Sequence, residues 1–400
     1  MQLHIVFYLS VTRRQQAPEL RARGGGELSL AEEGGGELAV SLALDASGDA
    51  GFDAAAYMGA LQARRFGRWM LWSPRMASTH DLVTQNFAKL PVGVVCATDV
   101  QFKGRVDVTE DLKLLHALWG RSKNVWESPP GCLMFSFTSQ MNDARKLPLM
   151  QYVVCLAMTE AIKDLCCAKG LPELDVRIKW PNDLYLKGLK VGGILCTSSY
   201  EPKVYNICTG IGLNVDNEKP TTCLNAALQE LKANSPRLKR EDILASFFNK
   251  FEVLFDIFSN QGFQALEEQY YNSWLHSGQR VVVQDAHEGQ SVNSVVTIKG
   301  LTPSGYLYAV GEDGKSYELH PDGNRIGEEK DRCIRLPVQI QCHRRDLAGH
   351  EENMSPGLET EARDLAEPEL AWTNKSGANH VKEPQEKGSV SEDSPRLFCN

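Results

Sequence analysis

The run Lys179-Trp180-Pro181-Asn182-Asp183-Leu184 sets a cation at the end of an extended segment and a carboxylate just past a chain reversal. In Val176-Arg177-Ile178-Lys179-Trp180 the alternation predicts a strand with Val176, Ile178 and Trp180 on one face and Arg177 and Lys179 on the other. Pro181 has no N–H to give a ladder, so the strand stops there, and Asn182-Asp183 suit the turn that follows. A cation presented this way can grip a carboxylate or a phosphate. Two glycine blocks come next, Val191-Gly192-Gly193-Ile194-Leu195 and Gly210-Ile211-Gly212-Leu213-Asn214. A residue without Cβ lets backbone N–H groups come close to a ligand, and such groups suit anions. Taken singly, Lys179 also fits a solvent-facing strand lysine and the glycines fit bulges. The three blocks in order read together as one lysine in a glycine-lined pocket.

These blocks resemble the signature of the biotin protein ligases, also called holocarboxylase synthetases, with the plant enzymes nearest in overall likeness, from about Trp72 to Asn324. Upstream, Ser78-Thr79-His80-Asp81 resembles the family's biotin-contacting Ser-Thr segment, and Gln101-Phe102-Lys103-Gly104-Arg105 resembles the start of its adenylate-binding loop. The family continues Gly-Arg-Gly-Arg, a few residues, then Trp. Here Gly104-Arg105 and Gly120-Arg121-Ser122-Lys123-Asn124-Val125-Trp126 are the two halves, with Val106 to Trp119 inserted between them.

The resemblance implies a class II synthetase-like mixed α/β catalytic domain followed by a small SH3-like β-barrel. It implies two steps: the biotin carboxylate attacks the α-phosphorus of ATP to give biotinyl-5′-AMP, then a lysine of a biotin carboxyl carrier domain attacks that mixed anhydride. Carried over residue by residue, Ser78, Thr79, Gln101, Gly104, Arg105, Lys179, Gly192 and Gly193 would hold biotin, and Arg121, Trp126, Asn182 and Asn214 the adenylate. Lys179 and Arg105 would neutralise charge in the first step, and Asp183 would orient or deprotonate the acceptor amine, a turn-capping role being the open alternative. Mg²⁺ is expected on the ATP phosphates rather than in a protein cage. His80 and His320 read as surface or packing histidines.

The insertion bears on activity. Closing an extra flexible loop of that size costs about 2 kcal/mol. Asp107 and Glu110 are spaced as a capping box, however, and Val108, Leu112, Leu115 and Trp119 recur at helical spacing. A helix there would hold its ends about 18 Å apart, where the uninterrupted loop has bonded neighbours. Two alternatives therefore stand beside the active ligase: a chain that binds biotin or carrier domains without efficient ligation, and a lipoyl or octanoyl transferase of the same superfamily.

Lys plus Arg is 43 and Asp plus Glu 51, a formal charge of −8, which argues against a general nucleic-acid binder. Nothing before Trp69 reads as a DNA-binding helix-turn-helix. Eleven cysteines without paired Cys-x-x-Cys blocks suggest neither a zinc site nor a disulfide framework, and no apolar run is long enough to span a bilayer. Reduced thiols make the cytoplasm the default location, with a plastid or mitochondrion the alternative.

Four regions follow. Residues 1–68 read as a flexible extension, in which Gly-Gly-Gly-Glu-Leu occurs at 24–28 and 34–38. Residues 69–272 read as the catalytic domain, with strands near Val92–Thr98 and Leu133–Phe137, a helix over Pro148–Lys169, and a helical core stripe over Arg240–Tyr271. In 273–335 the segments Gln279–Gln284, Ser291–Lys299, Tyr306–Val310 and Ser316–His320 read as short strands. The charged tail, 336–400, reads as disordered.

Overall fold

Two neighbouring rows of residues, one residue apart on each strand, decide what this fold buries and what it presents. The structure, a computed structural model, describes residues 5–9, 29–31, 37–43, 51–102, 128–217, 221–287, 290–320, 334–335 and 397–399. After β1 (Ile5–Leu9), β2 (Ser29–Ala31) and β3 (Glu37–Ala43) come β4 (Trp69–Met76), β5 (Val95–Gln101), β6 (Cys132–Met141), β7 (Val176–Lys179), β8 (Asp183–Leu186), β9 (Leu189–Glu201) and β10 (Val204–Asn214). The last seven form a mixed sheet in the order β4-β5-β6-β10-β9-β8-β7, in which β4 and β5 are parallel and the other pairs antiparallel.

Ile178, Leu184, Gly192, Leu213 and Leu133 are successive register partners across five of these strands, and their side chains share one face. That face is the core, where Ile178, Leu184 and Leu213 have no exposed surface. Two helices cover it, α3 (Met150–Ala168) and α5 (Arg240–Gln261), which follow α1 (Ala54–Ala60), α2 (Thr79–Gln85) and, between them, α4 (Leu224–Leu231). The expected aromatic stripe lies on α5: Phe247, Phe248, Phe251, Phe255 and Phe258 are buried, and the rings of Phe247 and Phe248 each meet Phe135 or Phe137 at a centroid distance of 5.4 Å. Each such ring contributes about 1.5–3 kcal/mol by leaving water. The stripe is broken where the sequence reads it as continuous, because Gly262 turns with φ +81° and α6 (Glu267–Ser273) starts afresh after a 3₁₀ turn.

Residues 51–68 are not part of a flexible extension. Asp53 caps α1, accepting a hydrogen bond from the Ala56 N–H at 2.9 Å, and Phe52, Tyr57, Leu61 and Phe66 are buried in the same core as α5. The buried Tyr57 hydroxyl donates to the Gly67 carbonyl at 2.9 Å. Apolar residues at 52, 54, 57 and 61 carry a helical signal that the glycine-rich composition upstream obscures. Further upstream, β1 pairs antiparallel with β4 and parallel with β3, so the described part of the extension widens the sheet. In the C-terminal tail, β16 (Leu397–Cys399) pairs with β9, and the rest of 336–400 lies outside the described residues.

Past Ser277 the expected strands are present as β11 (Arg280–His287), β12 (Gln290–Leu301), β13 (Leu307–Gly311) and β14 (Ser316–Leu319), which with β15 (Ile334–Arg335) make a separate five-stranded sheet in the order β14-β13-β12-β11-β15. Its turn at Gly305 packs against the start of α3 and the end of β7. Gly305 has φ +87°, and a Cβ there would lie 2.9 Å from Leu149 and 3.1 Å from Tyr152. Its carbonyl accepts from the Tyr152 hydroxyl at 2.5 Å and from the Trp180 indole at 3.1 Å. Gly305→Ala is therefore expected to destabilise the fold by about 1–3 kcal/mol, combining a left-handed φ with overpacking. Denaturant unfolding would measure it, and an unchanged midpoint would disprove the docking role.

Candidate active site

The second row faces away from those core helices. Lys179, Asp183, Gly193, Gly212 and Met134 are register partners across the same five strands. A one-residue offset sends every side chain to the opposite face. Four inter-strand steps put the ends of this row about 19 Å apart. Gly193 and Gly212, with Gly210 two residues along β10, leave bare backbone between a charged end at β7–β8 and a polar end at β6.

Alternation also separates the glycine pair that the sequence treats as one unit. Gly192 belongs to the core row: a Cβ there would meet the Gly212 carbonyl at 3.0 Å and the Leu184 and Leu213 methyls at 3.2 Å. The space a side chain would take at Gly192 is thus filled by core packing, on the face opposite Lys179. Gly193 is half-buried and faces the other way. Gly210 and Gly212, absent from the expected ligand set, flank it; the signal that finds them is simply the period of two counted from Lys179.

At the charged end the Lys179 ammonium donates to the Tyr185 hydroxyl at 3.1 Å and lies 4.7 Å from that ring's centroid. Asp183, its cross-strand partner, is ion-paired to Lys190 at 2.6 Å. The Trp180-Pro181 peptide is cis. The Asn182 carbonyl accepts the Ile194 N–H at 2.9 Å and its amide donates to the Ile194 carbonyl at 2.9 Å, which fastens the turn to β9. Asn214 is buried, and its amide donates to Thr221 Oγ1 at 3.0 Å and the Thr222 carbonyl at 3.2 Å. Both amides therefore shape loops bordering the row.

At the polar end, Ser78 caps α2, its hydroxyl accepting the Asp81 N–H at 3.1 Å. The next residue faces the sheet: Thr79 Oγ1 is 2.8 Å from Ser136 Oγ, and the Thr79 N–H and hydroxyl donate to Gln101 Oε1 at 3.0 and 3.3 Å. Ser78, Thr79 and Gln101, far apart in sequence, are thus brought together, and Ser136 completes the cluster. His80 packs over Gly210, 3.2 Å from where a Cβ would stand, and its Nε2 is 3.1 Å from Thr197 Oγ1. Loss of water lowers its pKa, but Cys208 and Asp81 outweigh that and carry it up to about 10. His320 is exposed and stacks on Tyr306 at 3.8 Å.

Gly104, Arg105, Arg121, Trp126 and the insertion at 106–119 lie outside the described residues. Both anchors of that segment are described, and they touch: the Gln101 N–H donates to Ser128 Oγ at 3.3 Å. The two described anchors therefore stand together at the polar end of the row. Among the described residues no group of three His, Cys, Asp or Glu side chains could hold a metal ion, no disulfide is present, and no helix is long and apolar enough to cross a membrane.

A mixed sheet that lines up a lysine and bare glycines in one register row, with a hydroxyl–amide cluster beside the far end where Ser136 pairs with Gly210, could hold a small, extended acid. Residues 72–214 match the biotin/lipoate A/B protein ligase family. The chain is 60% identical to biotin–protein ligase 1, chloroplastic, of Arabidopsis thaliana over 276 residues, 69% of this chain and 71% of that one. It is 57% identical to biotin–protein ligase 2 of the same plant, covering 80% of it. Among solved structures, the biotin protein ligase from Aquifex aeolicus in complex with biotin and ATP aligns at 22% identity with a TM-score of 0.46, over 62% of this chain and 94% of that one. The chain belongs to the biotin protein ligase family.

Proposed function

We propose that this chain attaches biotin to a lysine of biotin carboxyl carrier domains, using ATP and passing through biotinyl-5′-AMP. The observation that carries this reading is the row and its neighbour: Lys179 at one end and the Thr79–Gln101–Ser136 cluster beside the other bracket the backbone of Gly193, Gly212 and Gly210. The ureido end of biotin pairs with the cluster, its ring system lies on the glycines, and its carboxylate meets Lys179. The nucleophile of the first step is already an anion, so the barrier is repulsion between carboxylate and phosphate, and what the protein supplies is position and positive charge. Lys179 and Arg105 supply that charge, Mg²⁺ accompanies the ATP phosphates, Gly104 adds to the biotin contacts, and Arg121 and Trp126 enclose the adenylate. The C-terminal sheet closes as the family's SH3-like barrel, and the working compartment is the cytoplasm.

The second step centres on Asp183. Its carboxylate holds the Lys190 ammonium at 2.6 Å beside Lys179's strand, the arrangement an incoming acceptor lysine would have to reproduce. Asp183→Asn is expected to leave pyrophosphate release with biotin and ATP within about threefold of wild type and to slow transfer to a carrier domain about 10- to 100-fold. Equal slowing of both steps would reject that assignment. The insertion acts on the first step: deleting residues 106–119 is expected to raise pyrophosphate release about 30-fold, the equivalent of about 2 kcal/mol of loop closure. Equal rates with and without the insertion would refute it. Transfer of biotin to a carrier domain, dependent on ATP, tests the whole reading; no transfer by either form would overturn it.

A further inference from the structure

Among the described residues the strand that carries Lys179 is the outermost of the sheet, and one of its edges has no strand partner within it. That edge is closed by the linker to the C-terminal sheet. The Leu275 N–H donates to the Ile178 carbonyl at 2.9 Å, and the Trp180 N–H donates to His276 Nε2 at 2.9 Å. The backbone is therefore tied on both sides of Lys179 to two consecutive linker residues. His276 is 3% exposed, and its other nitrogen, Nδ1, is 2.6 Å from Gln279 Oε1. An amide oxygen only accepts, so Nδ1 carries the proton and Nε2 offers the lone pair that Trp180 needs. Gln279 is in turn part of the C-terminal sheet's first turn: its carbonyl accepts the Ile298 N–H at 2.9 Å, and the Gly278 N–H donates to the Ile298 carbonyl at 3.0 Å.

We propose that His276 is a positioning residue for the first half-reaction, fixing the strand end from which the Lys179 ammonium reaches the reacting carboxylate and phosphate. Through it the C-terminal sheet sets the geometry of adenylation without touching either substrate. The ring works only as the neutral tautomer, because a second N–H on the ring would face the Trp180 N–H. Its surroundings keep it neutral: burial pushes its pKa down to about 4, Gln279 opposes this in part, and the Lys179 charge adds to it. Among the described residues its other partners, the Trp274 ring from the linker and the Trp180 backbone from beyond β7, carry no charge. Because its folded pKa lies below the unfolded value, the stability it contributes is complete above about pH 6.5 and is lost as pH falls toward 4.

This inference rests on the ligase reading, and the test separates the two. Pyrophosphate release with biotin and MgATP is measured for the full chain, His276→Leu, His276→Gln and Gln279→Glu. Leucine strands a buried N–H, so kcat is expected to fall about 10- to 100-fold, with the Kd for biotin changed less than kcat. Glutamine carries an oxygen that can accept the Trp180 N–H, and should recover most of the loss. Gln279→Glu sets a carboxylate against Nδ1, favours the protonated ring, and should move the acid limb of the kcat profile to higher pH. A folded His276→Leu enzyme with wild-type kcat, or a Gln279→Glu profile superimposable on wild type, would overturn the proposal. No pyrophosphate release by the wild type, either with or without residues 106–119, would instead overturn the ligase reading. Should His276→Leu fail to fold, the glutamine and Gln279→Glu variants still decide it.

Discussion

Lys179→Ala is expected to lower biotin-dependent pyrophosphate release by about 10²–10³-fold while leaving the fold intact. The side chain is part-buried at the end of β7, and its hydrogen-bond partner among the described residues is the Tyr185 hydroxyl rather than a carboxylate. Truncation therefore strands no buried charge. What it removes is the cation that screens the approach of a carboxylate to an α-phosphate, an interaction that strengthens as the two anions meet. Lys179→Arg should restore little, since a planar guanidinium cannot take the place of a compact ammonium held against a tyrosine ring. Unfolding midpoints within error of wild type, combined with the lost rate, would assign the effect to chemistry; a rate within threefold of wild type would remove Lys179 from the mechanism.

The second large effect concerns two adjacent glycines. Gly193→Val should fold normally yet weaken biotin binding by at least about 100-fold, because its β-branched side chain suits a strand but stands on the bare surface where the ring system would lie. Gly192→Val should do the opposite and unfold the protein before it affects binding, since its first added carbon already meets the Gly212 carbonyl at 3.0 Å and Leu184 and Leu213 at 3.2 Å. Neither glycine has a positive φ, so backbone strain enters neither comparison. Calorimetric titration with biotin and thermal unfolding of both variants would reveal the contrast. Two variants failing in the same manner would show that the two faces of β9 do not divide as described.

Much of this site is legible in the sequence, for physical reasons. Alternation in Val176–Trp180 fixes which face Lys179 occupies, and the buried Val176, Ile178 and Trp180 match it. The α5 phenylalanines are legible because a 3.6-residue period leaves little choice of face. Three features are hidden. The break at Gly262 is invisible in an apolar pattern that resumes beyond it. The different duties of Gly192 and Gly193 follow from register across four neighbouring strands, and the neutral state of His276 from a turn nearly a hundred residues downstream of Lys179. Long-range pairing is set by the folded sheet and leaves no local mark. Residues 51–68 went the other way: their helix is local and legible, but it adjoins a composition that reads as flexible.

The most direct measurement is a crystal structure of this chain with biotin and a non-hydrolysable ATP analogue. The account predicts that the Lys179 ammonium leaves the Tyr185 hydroxyl and lies about 2.7–2.9 Å from an oxygen of the biotin carboxylate or the α-phosphate, with the ring system over Gly193 and Gly212. An amine directed away from both ligands would contradict it.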